Sequence, residues 1–202
     1  MRGSSISRRL PASAVGCATR VSWPSCAAPG RTTRSTRCSR AAKRATRPDV
    51  ATPPPSGAAA HYRALESLYA AAPINQLFKS RLEIVEEGFA RIHFVVDETV
   101  YHAAGAVHGT TYFKMLDDAA FYAANSLVSD YFLLTTAFNL LLTRPIHAGP
   151  LVAEGRWVSG KRRVFVADAR LVDAEGEEVA RGTGTFMRSR IALAGLPGYR
   201  QK

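Results

Sequence analysis

Tyr101 to Gly109 brings together two histidines, His102 and His108, and a glycine, and the carboxylate of Asp117 follows on what reads as a helix starting at Gly109. A helix N-terminus presents unpaired N–H groups and a partial positive charge, which suits the Gly109 N–H to hold a developing oxyanion. Asp117 lies roughly two turns further along the same helix, placed to activate water. The pairing points to acyl transfer to water. At 100° per residue Asp117 shares its side with Phe113, Ala120, Phe121 and Ala124, all apolar. Asp118 instead shares a side with Lys114, Tyr122 and Asn125, and reads as half of a surface ion pair. His102, His108 and Asp117 lack a compact metal-ligand spacing, so no metal site is expected. Phosphate-cradling glycine loops and Gly-x-Ser-x-Gly elbows are absent from the sequence.

The elements that must position these residues occupy only part of the chain. The formal charge of +11 sits almost entirely in residues 1–60, which hold eleven Arg or Lys and a single acid, Asp49. All three cysteines (Cys17, Cys26, Cys38) lie there, while all nine phenylalanines come later. A segment so rich in Arg, Ser, Ala, Thr and Pro cannot bury enough apolar surface to fold alone. Three readings stand for it: a transit peptide, a polyanion-binding arm, or sequence upstream of the true start. Ala51 to Ala60, with Pro53-Pro54-Pro55, reads as a linker. The basic segment carries no DNA-reading motif, and no apolar run approaches membrane-spanning length. The expectations are therefore no nucleic-acid partner, no membrane, and a cytoplasmic location, or an organelle matrix if the extension is a transit peptide.

Residues 61–202 suit one domain with a single core. Having no cysteine, that domain has no thiolate nucleophile. Leu65, Leu68, Tyr69 and Ala72 recur at helical spacing over 61–72, and Pro73 stops the run. Residues 81–87 and 89–97 read as two strands joined at Glu87-Gly88, the second with Ile92, Phe94 and Val96 on one face and Arg91 and His93 on the other. The long helix spans 109–127. Four further strands, 132–143, 151–159, 163–172 and 178–188, read as a meander. Gly182 and Gly184 in the last strand suggest close approach of the central helix. This order predicts an α+β domain whose antiparallel sheet covers one buried helix.

The run from His102 through Gly105, His108, Gly109 and Thr110 to Asp117 resembles the Asn-x-x-Gly-x-x-His-Gly-Gly and later Asp of hotdog-fold thioesterases of the phenylacetate-degradation (PaaI-like) family. The resemblance covers about residues 74–190. Thr135, in Thr135-Thr136-Ala137-Phe138-Asn139, falls where the family carries a site Ser or Thr. His102 stands in place of the usual Asn, and Thr110 in place of the second Gly. The resemblance implies an antiparallel sheet wrapped around one long helix and hydrolysis of acyl-CoA thioesters without a cofactor. Asp117 would be general base or nucleophile and the Gly109 N–H the oxyanion donor, with His102 and Thr135 in the catalytic site. His108 would contact substrate beside Gly109. It also implies a homodimer or homotetramer with sites between subunits. Arg162 and Arg163, with Lys161 in a basic turn, suit the phosphates of coenzyme A. Two other readings stay open: a non-catalytic acyl-CoA sensor, and a hotdog dehydratase, whose acid and histidine come from different elements.

Overall fold

The computed structural model describes residues 56–200, so the basic extension up to residue 50 and half of the linker lie outside the described residues. The expected linker is shortened at its C-terminal side, because α1 (Ser56–Ala71) already includes residues 56–60. Pro73 ends α1 as expected and occupies the first turn of a short second helix, α2 (Pro73–Phe78), where its missing N–H costs nothing. The strands β1 (Arg81–Glu86) and β2 (Phe89–Val96) form the expected hairpin around Glu87-Gly88. The long helix α3 runs Gly109–Asn125, followed by β3 (Tyr131–Leu142), β4 (Gly149–Ser159), β5 (Val164–Val172) and β6 (Glu178–Ala192). No helix among the described residues is long and apolar enough to cross a membrane.

All strand pairings are antiparallel, in the order β1-β2-β4-β5-β6-β3. This corrects the expected meander: β3 does not neighbour β4 but forms the far edge beside β6. The cause is the segment leaving β3. Its backbone is pinned over the start of α3, with Val107 N–H donating to Ile146 O (2.9 Å), Ile146 N–H to the Tyr112 hydroxyl (2.9 Å) and that hydroxyl to Arg144 O (3.2 Å). The chain thus crosses the helix and delivers β4 to the opposite side, next to β2. The sheet curls around α3, whose Met115, Leu116, Ala119, Ala120, Ala123 and Ala124 are fully buried.

Among the glycines of the sheet, Gly155 on β4 meets the backbone of the helix, and Gly182 and Gly184 do not. A Cβ built on Gly155 would lie 2.0 Å from Ala119 O, in the backbone of α3. Gly182 instead makes room for the Phe138 ring of β3, and Gly184 for the rings of Phe186 and Phe138. Overpacking against backbone has no side-chain escape, so Gly155→Ala should lower unfolding free energy by about 3 kcal/mol, measured by urea denaturation. An unchanged midpoint would show that α3 is free to lift off the sheet.

Candidate active site

The N-terminus of α3 is built as the sequence suggests, with one refinement. His108 is its N-cap, in extended conformation (φ −69°, ψ 143°), and its Nδ1 accepts from the Thr110 N–H at 3.2 Å. The Thr110 hydroxyl lies 2.9 Å from the same nitrogen. Thr110, the departure from the family pattern, is thus part of the cap. Gly109 is the first helical residue, so its own N–H has no acceptor within the helix. In the preceding loop, His102 Nδ1 accepts from the Ala104 N–H at 3.1 Å. In the neutral ring that leaves the hydrogen on Nε2, free to donate outward. His102 and Gly109 line one cavity of about 310 Å³ with Tyr112, Leu142 and Arg144.

Asp117 and Thr135 lie elsewhere. The Thr135 hydroxyl donates to the Asp117 carboxylate at 3.0 and 3.3 Å. Strict strand alternation would turn Thr135 away, since it lies three residues from the inward-facing Phe138. A β-bulge between Thr135 and Ala137 inserts one residue and turns Thr135 back toward α3. The two residues line a cavity of about 280 Å³ walled by Ile74, Phe121, Phe132 and Leu134. Burial pushes the Asp117 carboxyl up to about 6, against the pull of the Thr135 hydroxyl. The expected apolar setting of Asp117 is thus present.

One expectation about this region needs correction. Asp118 is not half of a surface pair: its side chain is 18% exposed and that of Lys114 15%. Asn125, on the same side, is wholly buried, its side chain bonded to Val128 O and the Leu133 N–H. Helix phase alone predicts a solvated second face, whereas α1 and α2 cover it. Tyr69 of α1 packs on Tyr122 at 5.3 Å, and Lys114 donates to Asn75 of α2 at 2.6 Å. The two halves of the expected site also stand apart within one chain. Gly109 and Asp117 line different cavities, and eight helical residues separate them by roughly 12 Å, too far for both to act on one carbonyl within one chain.

Arg162 and Arg163 are exposed on the turn between β4 and β5 and line neither cavity. A groove on the outer face of the sheet, lined by Glu154, Arg156, Asp168, Arg170 and Arg181, has its acids engaged. Glu154 pairs with Arg91 and Arg170, and Asp168 accepts from the Thr183 hydroxyl. It offers no free base. The apolar walls at Ile74, Phe132 and Leu134 were missed in the sequence, where they look like ordinary core residues.

Residues 104–180 match the family model described as the thioesterase superfamily. An esterase-named relative from Saccharolobus solfataricus is 28% identical over 105 residues, covering 52% of this chain and 70% of its own. Among solved structures, the E. coli PaaI protein from the phenylacetic acid degradation operon superimposes with a TM-score of 0.62 at 21% identity, covering 67% of this chain and 97% of its own. A thioesterase family protein from Silicibacter pomeroyi gives 0.59 at 24% identity, covering 63% and 97%. At these identities the structural likenesses speak for the fold, and the family model for a likeness over residues 104–180. The chain therefore has the hotdog fold, and its residues 104–180 are similar to the thioesterase superfamily.

Proposed function

We propose that this protein hydrolyses acyl-CoA thioesters at sites completed between two subunits. The observation that carries the reading is Asp117: a carboxylate held by Thr135 in an apolar cavity, with its pKa raised by burial to about 6. That value leaves it ionised at neutral pH and still basic enough to take a proton from water. The attacking water adds to the thioester carbonyl, and the oxygen that gains charge needs a donor. The Gly109 N–H meets that need, with His102 Nε2–H beside it. Collapse expels a thiolate, a competent leaving group without strong acid assistance, and the proton held by Asp117 passes to it. A sensor that only binds has no use for a carboxylate kept ionised at such cost.

Because the two halves lie in separate cavities, a second copy is required. β3 is a free edge carrying Leu134, Leu141 and Leu142, all exposed. Antiparallel pairing of β3 with a second β3, centred between Phe138 and Asn139, would set Thr135 opposite the partner's Leu142. Since Leu142 lines the His102–Gly109 cavity, that register would join each Asp117 cavity to the partner's Gly109. It would also cover an edge that is otherwise open to aggregation.

Thiol release measured across short, medium, long and aryl acyl-CoAs tests the reading. Hydrolysis of at least one class, with free acid detected by mass spectrometry, is expected. Tight acyl-CoA binding with no thiol released would favour the sensor instead.

A further inference from the structure

Lys114 lies one turn before Asp117 on α3 and is largely buried. Its ammonium donates to Asn75 Oδ1 at 2.6 Å and to the Asp118 carboxylate. It also sits over the rings of Tyr69 (5.3 Å) and Phe78 (5.7 Å). Asn75 is 5% exposed and uses its other end to donate to Tyr69 O at 2.8 Å. Asn75 and Asp118 line the Asp117 cavity, as does Ile74 of the helix that Asn75 anchors.

We propose that the buried Lys114–Asp118 pair, with Asn75, is a positioning unit for Asp117, setting the charge that this carboxylate feels and fastening α2 over its cavity. The inference rests on the reading of Asp117 as the base. The groups facing Asp117 and the pair come from four elements. α1 supplies Tyr69, and α3 supplies Lys114, Asp118 and Tyr122. Asn75 of α2 and Thr135 of β3 are neutral. Burial pushes both phenols up, so they stay uncharged. The charges that remain are one cation and two carboxylates. Asp118 raises Asp117 and Lys114 lowers it, both acting beneath the larger effect of burial. For Asp118 itself, burial is the largest influence and raises its carboxyl, with Lys114 pulling the other way. A neutral Asp118 would leave the ammonium buried with no counter-charge, which the cost of burying an unpaired ion strongly disfavours. On this proposal the contact between ammonium and carboxylate outweighs the burial of Asp118 and keeps the pair charged while Asp117 titrates.

The experiment is a carboxyl-carbon NMR titration of Asp-labelled protein, wild type and Asp118→Asn, beside the pH profile of thioester hydrolysis. In wild type, Asp118 should remain ionised through the range near pH 6 where Asp117 takes its proton. Asp118→Asn should lower the Asp117 titration and the acid limb of kcat/KM together by about one pH unit, the worth of removing one close like charge. The double variant Lys114→Met with Asp118→Asn should reverse most of that shift. A merely structural pair would reduce folded protein and leave the limb in place. The proposal is overturned if wild-type Asp118 protonates before Asp117, or if the Asp117 titration is unmoved in folded Asp118→Asn. Should that variant not fold, the wild-type titration decides. A wild type that releases no thiol would sink the functional reading alone, since the NMR titration still reports on the pair.

Discussion

Asp117→Asn lowers kcat by about 10²–10⁴-fold, the usual worth of a positioned general base, and leaves acyl-CoA binding in place. Asn fills the same space and its amide oxygen still accepts from Thr135, so the site keeps its shape but cannot take a proton. In wild type the acid limb of kcat/KM should bend near pH 6, where Asp117 gains its proton, and fall about tenfold per pH unit below it. Stability should move the other way. The folded-state pKa is raised from 3.8 to about 6, so the native state binds the proton more tightly than the unfolded chain. Stability therefore falls as pH rises from about 4 to 6, and the penalty is fully present at neutral pH. Asn removes it, and Asp117→Asn should be more stable than wild type at pH 7.5 by about 1–3 kcal/mol, seen as a higher Tm. A variant that is both inactive and stabilised marks a functional carboxylate, because a structural one would lose stability on removal. Lower stability with activity retained would reverse the assignment.

Much of this site was legible because its signals are local. The helix start at Gly109, its orphan N–H and the apolar side around Asp117 depend on residues a few positions apart, and each appears in the structure where the sequence places it, although the capping role of His108 does not follow from that pattern. The chain also advertised its strands by alternation, as in Phe89–Val96. What failed needed contacts from distant segments. Helix phase identified two sides of α3 but could not say that α1 and α2 bury the second, so Asp118 and Lys114 looked solvated. Strand order escaped because the crossing after β3 is fixed by backbone bonds to Tyr112 and Val107, and no local pattern encodes those. The inward aim of Thr135 came from family likeness alone, since period-two reasoning turns it outward until the bulge is known. Glycine spacing in β6 signalled a close approach correctly but named the wrong neighbour, because an absent side chain does not specify whether a ring or a helix backbone fills the space.

Gly109→Pro removes one hydrogen-bond donor and almost nothing else, and should cut kcat by about 10²–10³-fold, the typical cost of losing an oxyanion donor. Proline is well tolerated at the first helical position. His108 already has the extended conformation that a residue before proline prefers. A Cβ at position 109 meets only Leu142 Cδ1, at 3.5 Å, an ordinary contact. Gly109→Ala adds the same carbon and keeps the N–H, so it should hold kcat within a few-fold of wild type; circular dichroism should show both variants folded. If Ala and Pro were equally inactive, space rather than the N–H would be what the site requires from glycine. The pair of inactive variants also tests how the halves meet. A heterodimer of Asp117→Asn with Gly109→Pro contains one site with both defects and one with neither, provided each site takes its base from one chain and its donor from the other. Random mixing should then restore about a quarter of wild-type activity, as two-fold symmetry dictates. If each chain supplied both groups to its own site, every site in the mixture would carry a defect and no activity would return. Restoration on mixing thus excludes a site made within one chain, the arrangement that the roughly 12 Å between Gly109 and Asp117 along the helix already opposes.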